Sequence, residues 1–200
     1  MTATKIAVIV EGKTEKVFKN ILLRFLKTKL EGQMPAIRFL PMKGRIPKGE
    51  QLKKDVERLL KNHDAVIALT DVYTGSNDFE TAEDAKQKMR SWVEESDKFY
   101  PHAAQHEFEA WLLPYWDRIR KLTGSNKTKP GNEPEKVNHG NPPSKRIGEA
   151  YQTGKKKPYQ KVLDAPRILA EQDLNVAIEA CPELKSFVNT ILKLCGADPL

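Results

Sequence analysis

The sequence predicts an α/β fold in which a mainly parallel central sheet is flanked by helices and a helical extension follows at the C-terminus. Three observations lead there. Residues 6–10 and 65–70 are apolar runs rich in β-branched side chains, each ended by a carboxylate, Glu11 and Asp71. Such runs suit strands buried on both faces, as in a parallel sheet. Segments of helical periodicity separate the strand-like runs, and this alternation implies a doubly wound sheet with its strand-end loops on one edge.

The elements follow in order. After the first strand, Thr14 is placed to cap a helix whose Val17, Phe18, Ile21, Leu22, Phe25 and Leu26 form one stripe. Residues 36–40 read as a second strand. A loop over 41–49 carries Lys43, Arg45 and Lys48, and a helix over 50–62 buries Leu52, Val56, Leu59 and Leu60. The third strand, 65–71, leads into a turn-rich loop with Gly75, Ser76, Asn77 and Asp78. Thr81 caps a helix running to about Ser96. A short strand over 100–104 precedes a helix start at 106–113 that Pro114 bends. Gly, Asn, Lys, Pro and Ser dominate 123–141, which reads as a flexible basic loop. Helices are predicted from Pro142 and over 166–172, 175–181 and 182–195. The domain organisation is an α/β domain over 1–122, the loop, and a helical extension over 142–200 packed on the same domain.

Composition narrows the class. The hydrophobic fraction of 39% and charged fraction of 30% describe an ordinary globular protein. No apolar run approaches the roughly 20 residues of a membrane span, and the N-terminus lacks the pattern of a signal peptide. Cys181 and Cys195 have no metal-ligand spacing and read as free thiols. A cytoplasmic location without membrane association is expected. The net charge is +7, and between Thr123 and Lys161 there are nine Lys or Arg against three Glu. A basic segment beside a balanced domain suits a polyanion such as nucleic acid, or forms a solvated loop.

Chemistry is expected where strands end in acids: Glu11, Asp71, and Glu107 with Glu109. Clustered carboxylates resist ionising together, and a cation relieves that repulsion. An all-oxygen set selects hard ions, Mg²⁺ or Mn²⁺. Such ions can activate water for attack on a phosphodiester. Gly12-Lys13-Thr14 echoes a phosphate-binding P-loop, but Ala7 stands where that loop needs its first glycine.

Val10-Glu11-Gly12-Lys13-Thr14-Glu15 resembles the first motif of the TOPRIM superfamily of Mg²⁺-dependent phosphotransfer enzymes, which includes overcoming-lysogenization-defect (OLD) nucleases. Three further stretches are Leu69-Thr70-Asp71-Val72-Tyr73-Thr74-Gly75, His106-Glu107-Phe108-Glu109-Ala110-Trp111 and Pro142-Pro143-Ser144-Lys145-Arg146-Ile147. Together these stretches are similar to a bacterial domain-of-unknown-function family of small TOPRIM-like proteins, often regarded as partners of ATPases in antiviral or mobile-element contexts. The resemblance covers nearly the whole chain. It implies a Rossmann-like TOPRIM fold, with Glu11 as the catalytic glutamate and Asp71 as the first acid of an Asp-x-Asp motif. The chain departs from that motif at Tyr73, where a second acid is expected; Asp78 or Glu109 can substitute.

These readings combine into a Mg²⁺-dependent nuclease acting on DNA or RNA. Its metal ligands come from Glu11, Asp71, Asp78 and Glu109, with Glu15 as a further acid or a first-turn residue favoured by the helix dipole. Lys145 serves as the catalytic cation on the scissile phosphate, together with Arg146, or both form an ordinary basic helix surface. His106 contacts phosphate, transfers a proton or is a structural histidine at a helix start, and Lys155, Lys156 and Lys157 bind nucleic acid. Trp92, Trp111 and Trp116 are expected in the core. The rival is a non-catalytic module that binds nucleic acid or an ATPase; a third option is a phosphotransfer enzyme acting on small substrates.

Overall fold

The computed structural model describes residues 3–32, 34–73, 77–94, 96–138 and 140–200, with residues 13–16 described by their backbone alone. The expected Gly75–Ser76 turn and the Thr14 cap lie outside the described groups. Four strands, β1 (Lys5–Val10), β2 (Ala36–Pro41), β3 (Ala65–Asp71) and β4 (Phe99–Ala104), form a sheet of order β2-β1-β3-β4. Every pairing is parallel, with Val10 opposite both Pro41 and Leu69, and Asp71 opposite Ala104. The arrangement is Rossmann-like, and no helix among the described residues is long and apolar enough to cross a membrane.

The alternation of side chains along each strand separates two cores. Ile6, Val8, Val10, Ile67 and Leu69 face one side, where they meet α1 (Lys13–Lys29) through Phe18, Leu22 and Leu26. Ala7, Ile9, Val66 and Ala68 face the other, against Leu52 and Val56 of α2 (Gly49–Leu60) and Ala85 and Met89 of α3 (Ala82–Trp92). A strand read on both faces must be apolar at every position, which is why β1 is a continuous run. Burying each large apolar side chain contributes about 1.5–3 kcal/mol.

The first core continues into the C-terminal third of the chain. It takes in a 3₁₀ helix (Phe108–Tyr115), α4 (Trp116–Thr123), α5 (Pro143–Lys155), α6 (Lys161–Leu169), α7 (Leu174–Ala180) and α8 (Pro182–Leu194). Trp111 and Trp116 are buried in it, while Trp92 packs partly buried on the second core. Pro114 leaves the 106–115 region a 3₁₀ helix, and Gly124, left-handed at φ 72°, ends α4. Within the 123–141 segment, Thr123, Ser125, Glu135 and Val137 are buried, and a short 3₁₀ turn (Pro134–Lys136) forms. The Trp116 indole N–H also donates to the Lys127 carbonyl at 2.9 Å, pinning that segment to α4.

One boundary differs clearly from expectation. Pro166 was expected to open a helix, as prolines often do, yet α6 starts at Lys161 and contains Pro166. The Asp164 carboxylate accepts the Gln160 N–H at 2.9 Å, while the Asp164 N–H donates to the Gln160 carbonyl at 2.8 Å. That reciprocal pair closes a helical turn ahead of the proline. Its consequence is to place Lys161 at the head of a helix.

Close approach explains one glycine. A Cβ on Gly154 in α5 would stand 2.2 Å from the Thr123 carbonyl oxygen at the end of α4. Gly154→Ala therefore forces backbone apart, and urea unfolding is expected to show a loss of about 1–3 kcal/mol.

On edge strand β4, His102 is buried against Phe187, ring centroids 5.6 Å apart. Its Nε2 lies 3.0 Å from the Thr190 hydroxyl, which itself donates to the Ser186 carbonyl. Burial first, then Lys86 and Arg90, lower the imidazole pKa from 6.5 to about 3. A folded pKa below the unfolded one means that stability is complete above the unfolded value and is lost as pH falls. Between pH 7 and pH 4.5 the protein is expected to lose about 2–3 kcal/mol through this group. Comparison of urea midpoints with His102→Gln checks it, the variant showing a shallower acid loss.

Candidate active site at the carboxyl edge of the sheet

Parallel strands present their carboxyl ends together, and ligand chemistry in such sheets sits at that edge. Glu11 follows β1, and Asp71 ends the neighbouring β3. Glu11 is buried, at 7% exposure. Its Oε1 accepts a short hydrogen bond from the Thr70 hydroxyl and another from the Asp71 N–H at 3.1 Å. The Glu11 carbonyl accepts the Gly44 N–H at 3.0 Å, tying the loop after β2 to the same edge. Two donors fix the Glu11 carboxylate on the backbone of Asp71, and the two acids close paired strands of the sheet.

Asp71 extends the arrangement toward β4. Its Oδ1 accepts the Phe108 N–H at 2.8 Å, at the first turn of the 3₁₀ helix. A carboxylate there is favoured by the unpaired N–H groups of the turn. Glu107, the residue before Phe108, accepts from the Ser144 N–H at 2.8 Å and the Ser144 hydroxyl at 3.0 Å, capping α5 from outside. Glu109, the residue after Phe108, is fully buried and bonds Lys161 Nζ through Oε2 at 3.0 Å. No side-chain or backbone group among the described residues is recorded as a hydrogen-bond partner of its Oε1. Burial pushes the Glu109 carboxyl up, against the pull of Lys161. The Lys161 pKa is raised: although burial lowers it, Glu109, Asp71 and Glu107 all hold the charged form.

The other expected site residues fall as follows. Asp78 is paired with Lys48 at 2.5 Å, and its carbonyl accepts from Lys88. The Glu15 side chain lies outside the described groups. Tyr73 donates its N–H to the His106 carbonyl at 2.7 Å, and its ring lies 5.0 Å from the His106 ring. Asn138 donates a short hydrogen bond to the Tyr73 hydroxyl. His106 is left-handed, at φ 66°, half-buried, with Nδ1 unbonded among the described residues; burial lowers its pKa. Lys145 is exposed on the first turn of α5. Arg146 beside it is partly buried, and its Nε makes no hydrogen bond among the described residues. Lys155, Lys156 and Lys157 are exposed where α5 ends, with Lys156 left-handed at φ 54°.

Sequence reasoning missed the Thr70 hydroxyl, the Ser144 cap and the Lys161–Glu109 pair. A helix-initial Ser beside a Pro was the one local signal for Ser144; the lysine pair spans 52 residues and has none.

The donor set fits a hard cation at Glu11 and Asp71, which stand together at adjoining strand ends and offer oxygen alone. The set is small. Among the described residues, no group of three or more His, Cys, Asp or Glu is arranged to hold a metal ion.

Comparison with known proteins gives two matches. The structure is similar to the C-terminal region of the Xanthomonas campestris pv. campestris OLD protein, at 14% identity and a TM-score of 0.47, over 98% of this chain and 95% of that one. No curated protein matches in sequence. The family model described as "Domain of unknown function (DUF4276)" matches residues 10–192. The chain belongs to the DUF4276 family.

Proposed function

We propose that this protein is a TOPRIM-type nuclease that hydrolyses phosphodiester bonds of DNA or RNA with Mg²⁺ or Mn²⁺. The observation that carries this reading is the Glu11–Asp71 pair, locked at adjoining strand ends by the Thr70 hydroxyl and the Asp71 amide. Glu11 and Asp71 hold the ion. When bound, the ion supplies an activated water and offsets charge on the phosphodiester. Thr70 keeps the Glu11 carboxylate oriented, so no reorganisation is needed as charge develops. Lys145 and Arg146, on the first turn of α5 that Glu107 anchors through Ser144, would grip the phosphate by charge. Lys155, Lys156 and Lys157 are exposed and suited to track the nucleic-acid backbone by charge. By family resemblance, the protein acts in the bacterial cytoplasm as a defence effector working with a partner ATPase.

A second reading, a non-catalytic module binding nucleic acid or an ATPase, is favoured by Tyr73 in place of an acid and by the capture of Glu109 by Lys161. Metal removal separates the two. The nuclease stops cutting plasmid, single strands or RNA in EDTA and resumes with Mn²⁺, and calorimetry shows Mn²⁺ binding. Absence of Mn²⁺ binding at millimolar concentration supports the module instead.

A further inference from the structure

Tyr73 lies two residues beyond Asp71, at the carboxyl edge of the sheet, and keeps 41% exposure. Its position is nevertheless fixed from three directions. Its N–H donates to the His106 carbonyl at 2.7 Å. Its ring rests against the His106 ring, with centroids 5.0 Å apart and planes tilted by 47°. Its hydroxyl accepts a short hydrogen bond from the Asn138 side chain. The other large hydrophobic side chains left exposed among the described residues, Val162, Leu163, Val176 and Leu200, are aliphatic.

A free surface tyrosine loses rotamer entropy when it takes up a ligand, and a side chain already held loses little. The holders of Tyr73 also belong to the elements that build the site. His106 has a left-handed backbone, φ 66°, which is uncommon for a residue with a side chain. The turn it makes puts its ring on Tyr73 and, two residues on, the Phe108 N–H on Asp71. The Asn138 carbonyl accepts the Asn141 N–H at 2.6 Å, in the turn that leads into α5 and the exposed Lys145. The aromatic ring is therefore tied to the acidic edge on one side and to a basic helix start on the other. A fixed, solvent-facing ring in that setting suits a nucleobase whose phosphate lies on the cations. A base inside a duplex is already stacked and must be extruded first, whereas a single strand offers it directly.

We infer that the Tyr73 ring is a stacking platform for an unpaired base, which makes single-stranded nucleic acid, DNA or RNA, the substrate taken at this edge. The inference rests on the proposed nuclease reading and names its substrate class. On it, His106 and Asn138 are positioning residues that hold the ring in place for the base.

Fluorescence anisotropy in EDTA, with the full chain and labelled oligonucleotides, tests this apart from cleavage. The probes are one sequence as single-stranded DNA, as single-stranded RNA and as a DNA duplex, and a strand of abasic sugar phosphates. Tyr73→Ala is expected to weaken single-strand binding about tenfold. Duplex binding, carried by charge on the phosphates, is expected to change by less than about twofold. Tyr73→Leu keeps an apolar side chain without the π face and is expected to match Tyr73→Ala, so the test survives if the alanine variant unfolds. Tyr73→Trp is expected to bind single strands at least as tightly as the native protein. The abasic strand is expected to bind native and alanine proteins alike, and the strand with the larger loss identifies DNA or RNA. Single-strand affinities that agree within about twofold for the native, Ala and Leu proteins overturn the platform, as does an equal loss on the abasic strand. Either result leaves the nuclease reading to Mn²⁺-dependent cleavage by the native protein. Native protein that binds single strands through Tyr73 yet cleaves none in Mn²⁺ keeps the platform and overturns the nuclease.

Discussion

Glu11→Gln is expected to abolish metal-dependent cleavage while leaving the fold intact. The geometry separates the two roles of this side chain. Oε1 accepts from the Thr70 hydroxyl and the Asp71 N–H, and a glutamine can present the same oxygen to both donors. Stability, read from urea unfolding, should therefore change by less than about 1 kcal/mol. The negative charge is lost, and with it the ability to hold a hard cation beside Asp71. A loss of about a thousandfold in Mg²⁺-dependent cleavage is expected, equivalent to about 4 kcal/mol of transition-state stabilisation. Glu11→Ala should lose the same activity and also about 1–3 kcal/mol of stability, because two donors at a buried position go unpaired. Cleavage by Glu11→Gln at the native rate would remove Glu11 from the mechanism.

The largest stability effect is expected far from that edge, at Glu135. Its Oε1 accepts the Trp111 indole N–H at 2.9 Å, and its Oε2 accepts the Glu183 N–H at 3.1 Å. One buried carboxylate thus caps the N-terminus of α8 and satisfies the most deeply buried tryptophan. Burial pushes its carboxyl up, and the donors pull the other way. Glu135→Ala leaves both of these donors unpaired and is expected to lose about 3–5 kcal/mol. Glu135→Gln retains one acceptor and should lose about half as much. Equilibrium urea unfolding checks both, and a loss below about 1 kcal/mol for the alanine variant would contradict the capping role.

What could be read from the sequence divides along the range of the interactions involved. β1 and β3 were legible almost to the residue, because a strand buried on both faces has no polar position to blur its ends. The adjacency of Glu11 and Asp71 follows from that, since both acids end paired strands of one parallel sheet. The start of α6 was not legible. Pro166 is a stronger local signal than a single Gln160–Asp164 bond, and the bond prevails only where the chain is already packed. The Glu107–Ser144, Glu109–Lys161 and Glu135–Glu183 contacts were hidden for the same reason, each joining residues 37 or more positions apart. Composition pointed to a flexible loop over 123–141, and the buried Glu135 and Val137 within it exert their effect only through tertiary packing.

The measurement that bears most directly on the Glu11–Asp71 centre is the anomalous scattering of crystals equilibrated with Mn²⁺. A peak within coordinating distance of both the Glu11 and Asp71 carboxylates, with Lys161 still on Glu109, is the expected result. Crystals saturated with Mn²⁺ that show no ion at either carboxylate would contradict it.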